Sequence, residues 1–184
     1  MHTELKKNSQ VSHYGRVARW FHWASAVIII AMFALGLWMM QLSFSSPWAV
    51  SAPNWHKSVG ILLAIVTVAR VLWKLTTKSP SIEGKRWERN TAHIVHWLMY
   101  VDLFVLFISG YVVATEYGDD IRLFDWITLP GVTSWWAEPP YFIGEMHLYA
   151  AWAMITMTVV HVLAALKHHL IDRDNTLIKM RGVK

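Results

Sequence analysis

Ten histidines and no cysteine set the chemistry open to this 184-residue chain. Without cysteine there is no disulfide scaffold, thiolate zinc site, cysteine-ligated iron–sulfur cluster or covalent c-type haem. Six histidines fall inside long apolar runs: His22, His56, His93, His96, His147 and His161. An ionisable side chain is costly in hydrocarbon, so each is a functional candidate by default. His147 and His161 are 14 residues apart, about 40° short of four helical turns, and so share a face about 21 Å apart along the axis. Two ligand layers inside one bilayer follow. Matching depths across antiparallel helices pairs His22 with His161 near the inner side and His56 with His147 near the outer side. Imidazole pairs held across a helical bundle suit axial ligation of haem iron.

The same interval recurs around these pairs. Gly36 is 14 residues after His22, and Gly110 is 14 after His96. A glycine facing a ligand layer leaves room for a porphyrin edge. Arg70 is 14 after His56 and is expected at the inner layer, where it suits an anionic propionate. Ala150, Ala151, Ala164 and Ala165 keep helix surfaces small near His147 and His161, which suits either a flat cofactor or close helix packing. His93 and His96 are alternative inner ligands, propionate partners or quinone-pocket residues. His168 lies seven residues after His161 on the same face, with His169 beside it. An interfacial imidazole there could exchange a proton with a quinone oxygen. Asp102, mid-run, is read either as part of a proton route or as a protonated acid bonded to a neighbouring helix. Glu145 stands at a helix start, where acids are favoured.

The elements that must position these residues are apolar helices. Apolar residues make up 55% of the chain and charged residues 16%, against about 25% charged in ordinary soluble domains. Four runs reach the about 20 residues needed to span a bilayer: approximately 17–42, 55–75, 92–115 and 141–170. The expected fold is an all-α membrane protein, a four-transmembrane-helix bundle forming a single domain over 1–184. The first run is too long for the apolar core of a cleaved signal peptide.

Basic residues orient the bundle. Four Lys and Arg lie before or at the start of run 1 (Lys6, Lys7, Arg16, Arg19). Six lie around the end of run 2 and the loop after it (Arg70, Lys74, Lys78, Lys85, Arg86, Arg89). Five lie at the C-terminal end (Lys167, Arg173, Lys179, Arg181, Lys184). Only Lys57 and Arg122 fall on the other side. The positive-inside rule places both termini in the cytoplasm. The net charge of +5 is thereby explained without nucleic acid. Trp20, Trp23, Trp73 and Trp97 mark the inner interface, and Trp38, Trp48, Trp55, Trp126, Trp135 and Trp136 the outer one. The outer loop carries Glu116, Asp119, Asp120, Asp125, Glu138, Pro130, Pro139 and Pro140. It is expected to be a solvated loop with a short interfacial helix around Ile121–Ile127, the alternative being a docking surface for a periplasmic redox partner.

These residues, in order and spacing, resemble the prokaryotic cytochrome b561 family. The resemblance rests on Phe21-His22-Trp23, His56-Lys57-Ser58-Val59-Gly60-Ile61, the Arg70 to Lys74 segment and Ala92-His93-Ile94-Val95-His96. Ser109-Gly110-Tyr111, Glu145-Met146-His147, the run His161 to His169 and Asp172 to Leu177 complete it. It covers roughly Arg16 to Met180. It implies two non-covalent haem b groups ligated by His22, His161, His56 and His147, with His93 and His96 in supporting positions. It further implies a multi-pass protein of the bacterial inner membrane exchanging electrons with ubiquinone or ubiquinol. Superoxide oxidation coupled to ubiquinone reduction is among the family's activities. The acidic outer loop does not suit steering of an anion, and Asp102 has no counterpart in the family pattern.

The reading is a transmembrane electron conduit in contact with membrane lipid. One alternative is a membrane-anchor cytochrome b subunit of a periplasmic dehydrogenase or hydrogenase. An alternative of another class is a haem-free, His-lined metal transporter, for which the mid-span carboxylates are few.

Overall fold

The structure, a computed structural model, describes residues 13–131 and 141–182. Lys6, Lys7, Trp135, Trp136, Glu138, Pro139, Pro140 and Lys184 lie outside the described residues. Four long helices run up and down: α1 Arg16–Met39, α2 Ser51–Thr76, α3 Arg86–Ala114 and α4 Ile143–Lys167. All four are long and apolar enough to cross a membrane. Between α3 and α4 a two-stranded hairpin forms from β1 Ile121–Leu123 and β2 Ile127–Leu129. After α4 come one π-helical turn, His168–Asp172, and a short helix α5, Thr176–Arg181. The helix ends carrying Arg16, Lys74, Arg86 and Lys167 are called the basic end, and the other the hairpin end.

Local chemistry sets the boundaries. Pro53 sits in the first turn of α2, where its missing N–H costs nothing. α3 starts six residues before its apolar run, because Glu88 folds back to accept the backbone N–H of Lys85 at 2.6 Å. Gly84, just before it, has a φ of +97°, and a side chain there would meet Glu88 Oε2 at 2.8 Å and His168 Cε1 at 3.0 Å.

α1 packs on α2 and α4, and α3 packs on α2 and α4, closing a four-helix ring. Buried positions are few and mostly small: Ser25, Ala52, Ser58, Thr67, Ser109 and Ala150, with Leu63, Leu103 and Met154. Small residues let helices approach closely in a membrane. Large apolar side chains point outward, Val27, Ile65, Leu72 and Ile108 among them. The solvent for these faces is lipid, which explains the inversion.

The expected interfacial helix at Ile121–Ile127 is instead an antiparallel hairpin, with Ile121 opposite Leu129 and Leu123 opposite Ile127. Phe124 and Asp125 take positive φ, 49° and 60°, and Trp126 N–H closes the turn on Leu123 C=O at 3.0 Å. Two consecutive left-handed residues reverse the chain in the sense that matches strand twist. Tertiary contact holds this conformation. Ser58, Leu62, Ile65 and Leu72 share one face of α2, and the last three are 45%, 58% and 58% exposed. Ser58 is only 1% exposed. The hairpin covers it: Ser58 Oγ accepts from Phe124 N–H at 3.0 Å and donates to Arg122 C=O at 3.4 Å. Near hydrocarbon, every backbone polar group satisfied by the fold avoids a cost of several kcal/mol.

Candidate functional site

The bundle brings the intramembrane histidines together at two levels. At the hairpin end, His56 from α2 faces His147 from α4, with ring centres 6.3 Å apart. At the basic end, His22 from α1 faces His161 from α4 at 6.2 Å. An imidazole–metal bond of about 2.0 Å plus about 1.1 Å from nitrogen to ring centre, counted on both sides, gives about 6.2 Å. Each pair is therefore spaced to hold one metal between two nitrogens. His96 approaches His161 more closely, at 5.2 Å, too short for the same arrangement. His93 is exposed and joins neither pair.

The hairpin-end layer is cradled by glycine. A Cβ on Gly110 would lie 2.9 Å from His147 Cε1, and one on Gly36 would lie 3.4 Å from His56 Cε1. Glycine thus gives the imidazoles room to stand against the helix backbones. Ser109 donates its single hydroxyl proton to Val105 C=O at 2.6 Å. Its oxygen then accepts from His147 Nδ1 at 3.0 Å. That bond puts the proton on Nδ1 and leaves the Nε2 lone pair free for a metal. His56 Nδ1 is buried with no partner among the described residues.

The basic-end layer is cationic. Arg70 Nη2 donates to His22 Nδ1 at 3.3 Å. Its guanidinium and the Lys74 ammonium stack over the Tyr100 ring at 5.6 and 5.2 Å. Arg70 therefore stands at this layer, as its interval from His56 requires. Asp102 lies on α3 between the two levels, and its Oδ2 is buried without a partner among the described residues. Glu145 sits in the first turn of α4.

Beyond the basic-end layer lies a polar network that sequence reasoning found only in part. His168 Nδ1 lies 2.6 Å from Asp174 and 3.2 Å from Asp172. Lys167 Nζ bridges Glu88 at 2.5 Å and Asp172 at 2.7 Å. Glu88, His168 and Asp172 are the one three-ligand group among the described residues that could hold a metal ion, and the lysine ammonium already pairs its two carboxylates. The π-helical turn brings Asp172 back to Lys167 and His168. The sequence signal for this network was Glu88 in the first turn of α3, but its partners lie 79 or more residues away. Below it, Lys179 pairs with Glu83 at 2.5 Å. The Lys179 hydrogen bond, with one from the Asn175 backbone, holds the Glu83 carboxyl below the usual carboxylate range. Burial acts to raise Asp174, but hydrogen bonds from Thr176 and His168 outweigh it and the carboxyl stays low.

Residues 13–182 match the family described as prokaryotic cytochrome b561. Cytochrome b561 homolog 2 of Escherichia coli K12 is 40% identical over 171 residues, covering 92% of this chain and 91% of that protein. A protein of Yersinia pestis named "Probable superoxide oxidase CybB" is 29% identical over 171 residues, 89% of this chain and 92% of its own length. Cytochrome b561 homolog 1 of Escherichia coli K12 is 24% identical over 178 residues, 92% and 97% of the two chains. A chain matched along nearly all its length, with paired imidazoles inside four apolar helices, belongs to the prokaryotic cytochrome b561 family of b-type haem, electron-transferring, multi-pass membrane proteins.

Proposed function

We propose that this chain is a di-haem conduit carrying electrons between ubiquinone or ubiquinol at its basic end and a donor or acceptor at its hairpin end. The observation that carries the reading is the equal spacing of two imidazole pairs, 6.2 and 6.3 Å, four helical turns apart. His22 and His161 would hold one haem b, and His56 and His147 the other. Each haem, when bound, supplies a one-electron couple whose potential the protein tunes. The chain acts as one domain in the bacterial inner membrane, with the basic end in the cytoplasm by the positive-inside rule.

The residues present fit such groups. Gly36 and Gly110 leave the cradle that a side chain would fill. Ser109 sets the coordinating tautomer of His147. At the other layer Arg70 donates to His22 Nδ1, whereas a neutral imidazole that coordinates through Nε2 carries its proton on Nδ1. Arg70 must then turn from His22, and a propionate carboxylate is the anion that would receive it. His96 stands beside His161 as an edge-packed ring neighbour. Exposed His93 faces the interface. With two imidazoles to hold each group, substrates would exchange electrons at its edge rather than on iron.

His168 is the proton donor and acceptor toward a quinone oxygen. Asp174 and Asp172 orient its ring from behind, as carboxylates orient catalytic imidazoles. The hairpin end has five described acids, Glu116, Asp119, Asp120, Asp125 and Glu145, against Lys57 and Arg122. That balance opposes steering of an anion such as superoxide. It favours a protein or neutral donor over the activity in the Yersinia relative's name. The metal-transporter alternative lacks a carboxylate path: between the two histidine levels α3 offers Asp102 alone.

The test is a reduced-minus-oxidised spectrum with pyridine haemochrome quantification. Two haem b per chain are expected. His147→Ala and His161→Ala should each lower the content to about one. A well-folded preparation without haem overturns the reading.

A further inference from the structure

On the outer surface of α1 at the basic end lies a groove of about 570 Å³. Arg16, Arg19 and Arg181 line its mouth, Trp20 and Trp23 its walls, and Ala24, Val27 and Ile28 its floor. Among the described residues no carboxylate lines it. Arg16, Trp20, Trp23 and Val27 recur at helical spacing on one face of α1. The three apolar members are 65%, 45% and 66% exposed, so this face looks away from the bundle and into lipid.

The third arginine comes from the far end of the chain. Arg19 Nη1 donates to Arg181 C=O at 3.1 Å, and Trp23 Nε1 donates to Met180 C=O at 3.3 Å. Tyr14 N–H donates to Lys179 C=O at 3.2 Å. These bonds hold α5 against α1 and bring Arg181 to the groove. Arg19 Nε is buried and unpartnered, and none of the three guanidinium groups has an ion pair among the described residues. Three unneutralised cations thus converge above an apolar channel. From Arg16 to Val27 the channel descends about 16 Å along the helix.

We infer that this groove is a binding site for one anionic phospholipid, its phosphate held by Arg16, Arg19 and Arg181 and an acyl chain laid along Trp23, Val27 and Ile28. Planar guanidinium groups match phosphate oxygens in pairs. Indole rings suit the level between headgroup and acyl chain. Basic pockets beside transmembrane helices are known to take acidic lipid headgroups. The phosphate chemistry is shared with free phosphate, but the apolar floor serves only a ligand with a tail. A general basic belt attracts acidic lipids without a site. What sets this groove apart is the convergence of two chain ends on one channel. The inference rests on the membrane-spanning reading alone and is independent of the cofactors.

The test is native mass spectrometry of the full chain released from bilayers of phosphatidylcholine mixed with phosphatidylglycerol. The wild type should retain phosphatidylglycerol in preference to phosphatidylcholine. At about fivefold per charge, the double variant Arg16→Gln, Arg181→Gln should lose about 25-fold of that preference. Lys78→Gln, which removes a charge at the same end but outside the groove, should keep it. Ile28→Trp fills the apolar floor without touching a charge and should also lose the bound lipid, which guards against misfolding of the arginine variants. Equal retention of the two lipids overturns the inference, as does equal loss in Lys78→Gln. Displacement by millimolar inorganic phosphate overturns it too, since a free ion would then be the ligand.

Discussion

The two histidine layers are matched in spacing and opposite in surroundings. The layer of His56 and His147 is neutral, walled by Gly36 and Gly110, and oriented by one hydroxyl from Ser109. The layer of His22 and His161 has a third imidazole, His96, and two cations, Arg70 and Lys74, gathered on Tyr100. Equal ligand pairs in unequal fields hold electrons with unequal affinity. A nearby cation favours the reduced form, which carries one more negative charge. In the proposed function the basic-end layer would therefore be the higher-potential one, at the end where His168 can exchange protons.

Breaking the hairpin-end cradle should have the largest effect. Gly110→Val drives a side chain into His147, whose Cε1 lies 2.9 Å from the position of a Cβ. It should cost the cofactor of that layer alone, bringing haem content from two to about one. Gly36→Ala, at 3.4 Å, is the graded comparison and should retain both haems with a lower melting temperature, at an overpacking cost of about 1–3 kcal/mol. Retention of both haems in Gly110→Val would show that the cradle is not what admits the cofactor.

Removing the charge difference comes next. Arg70→Gln should lower the midpoint potential of the basic-end haem by up to about 100 mV, the order expected for one charge at close range in a partly screened interior. The other haem should stay within a small fraction of that shift. A redox titration that moves both alike would erase the contrast between the layers.

Ser109→Ala should act on the opposite layer and more gently. It removes the acceptor for His147 Nδ1, a hydrogen bond worth about 1 kcal/mol. The expected sign is a small change in the hairpin-end potential and a broader spectrum from an imidazole free to rotate, with no change at the basic end.

The smallest effect concerns α5, which closes the basic end. The Glu83 carboxyl is held below its ordinary value of 4.5 by Lys179. A depressed folded pKa contributes stability above the ordinary value and loses it as pH falls through the folded one. The protection of the amides over residues 176–182, that is, exchange corrected for its intrinsic rise with pH, should therefore be flat from pH 6 to 8 and fall only in acid, below the ordinary carboxylate value. Glu83→Gln should show the faster exchange already at pH 7. Because Glu83 is partly exposed, salt should weaken the pair.

The helices, their order and the depth pairing of histidines were legible because they rest on period and length. Residues 14 apart return to one face, and an apolar run of 20 or more has one solvent that suits it. The hairpin was not legible. Ile121–Ile127 is apolar enough for an interfacial helix, and its conformation depends on Ser58, 66 residues earlier than Phe124. The roles of Ser109, Glu88 and Asp172 were missed for a related reason. Each is an ordinary polar residue in sequence and acquires meaning only from a partner on another element.

Sequence alone determined which side chains could ligate and at what depth, because helical geometry is local and the bilayer fixes length. It determined the family as well, through the order of its motifs. Tertiary structure alone supplied the distances, with the His22 ring centre 6.2 Å from that of His161 and the His96 ring centre at 5.2 Å. It also decided which tautomer His147 takes and that the two ends of the chain meet at one groove. Those are matters of distance between helices, and distance between helices is set by packing that no single segment encodes.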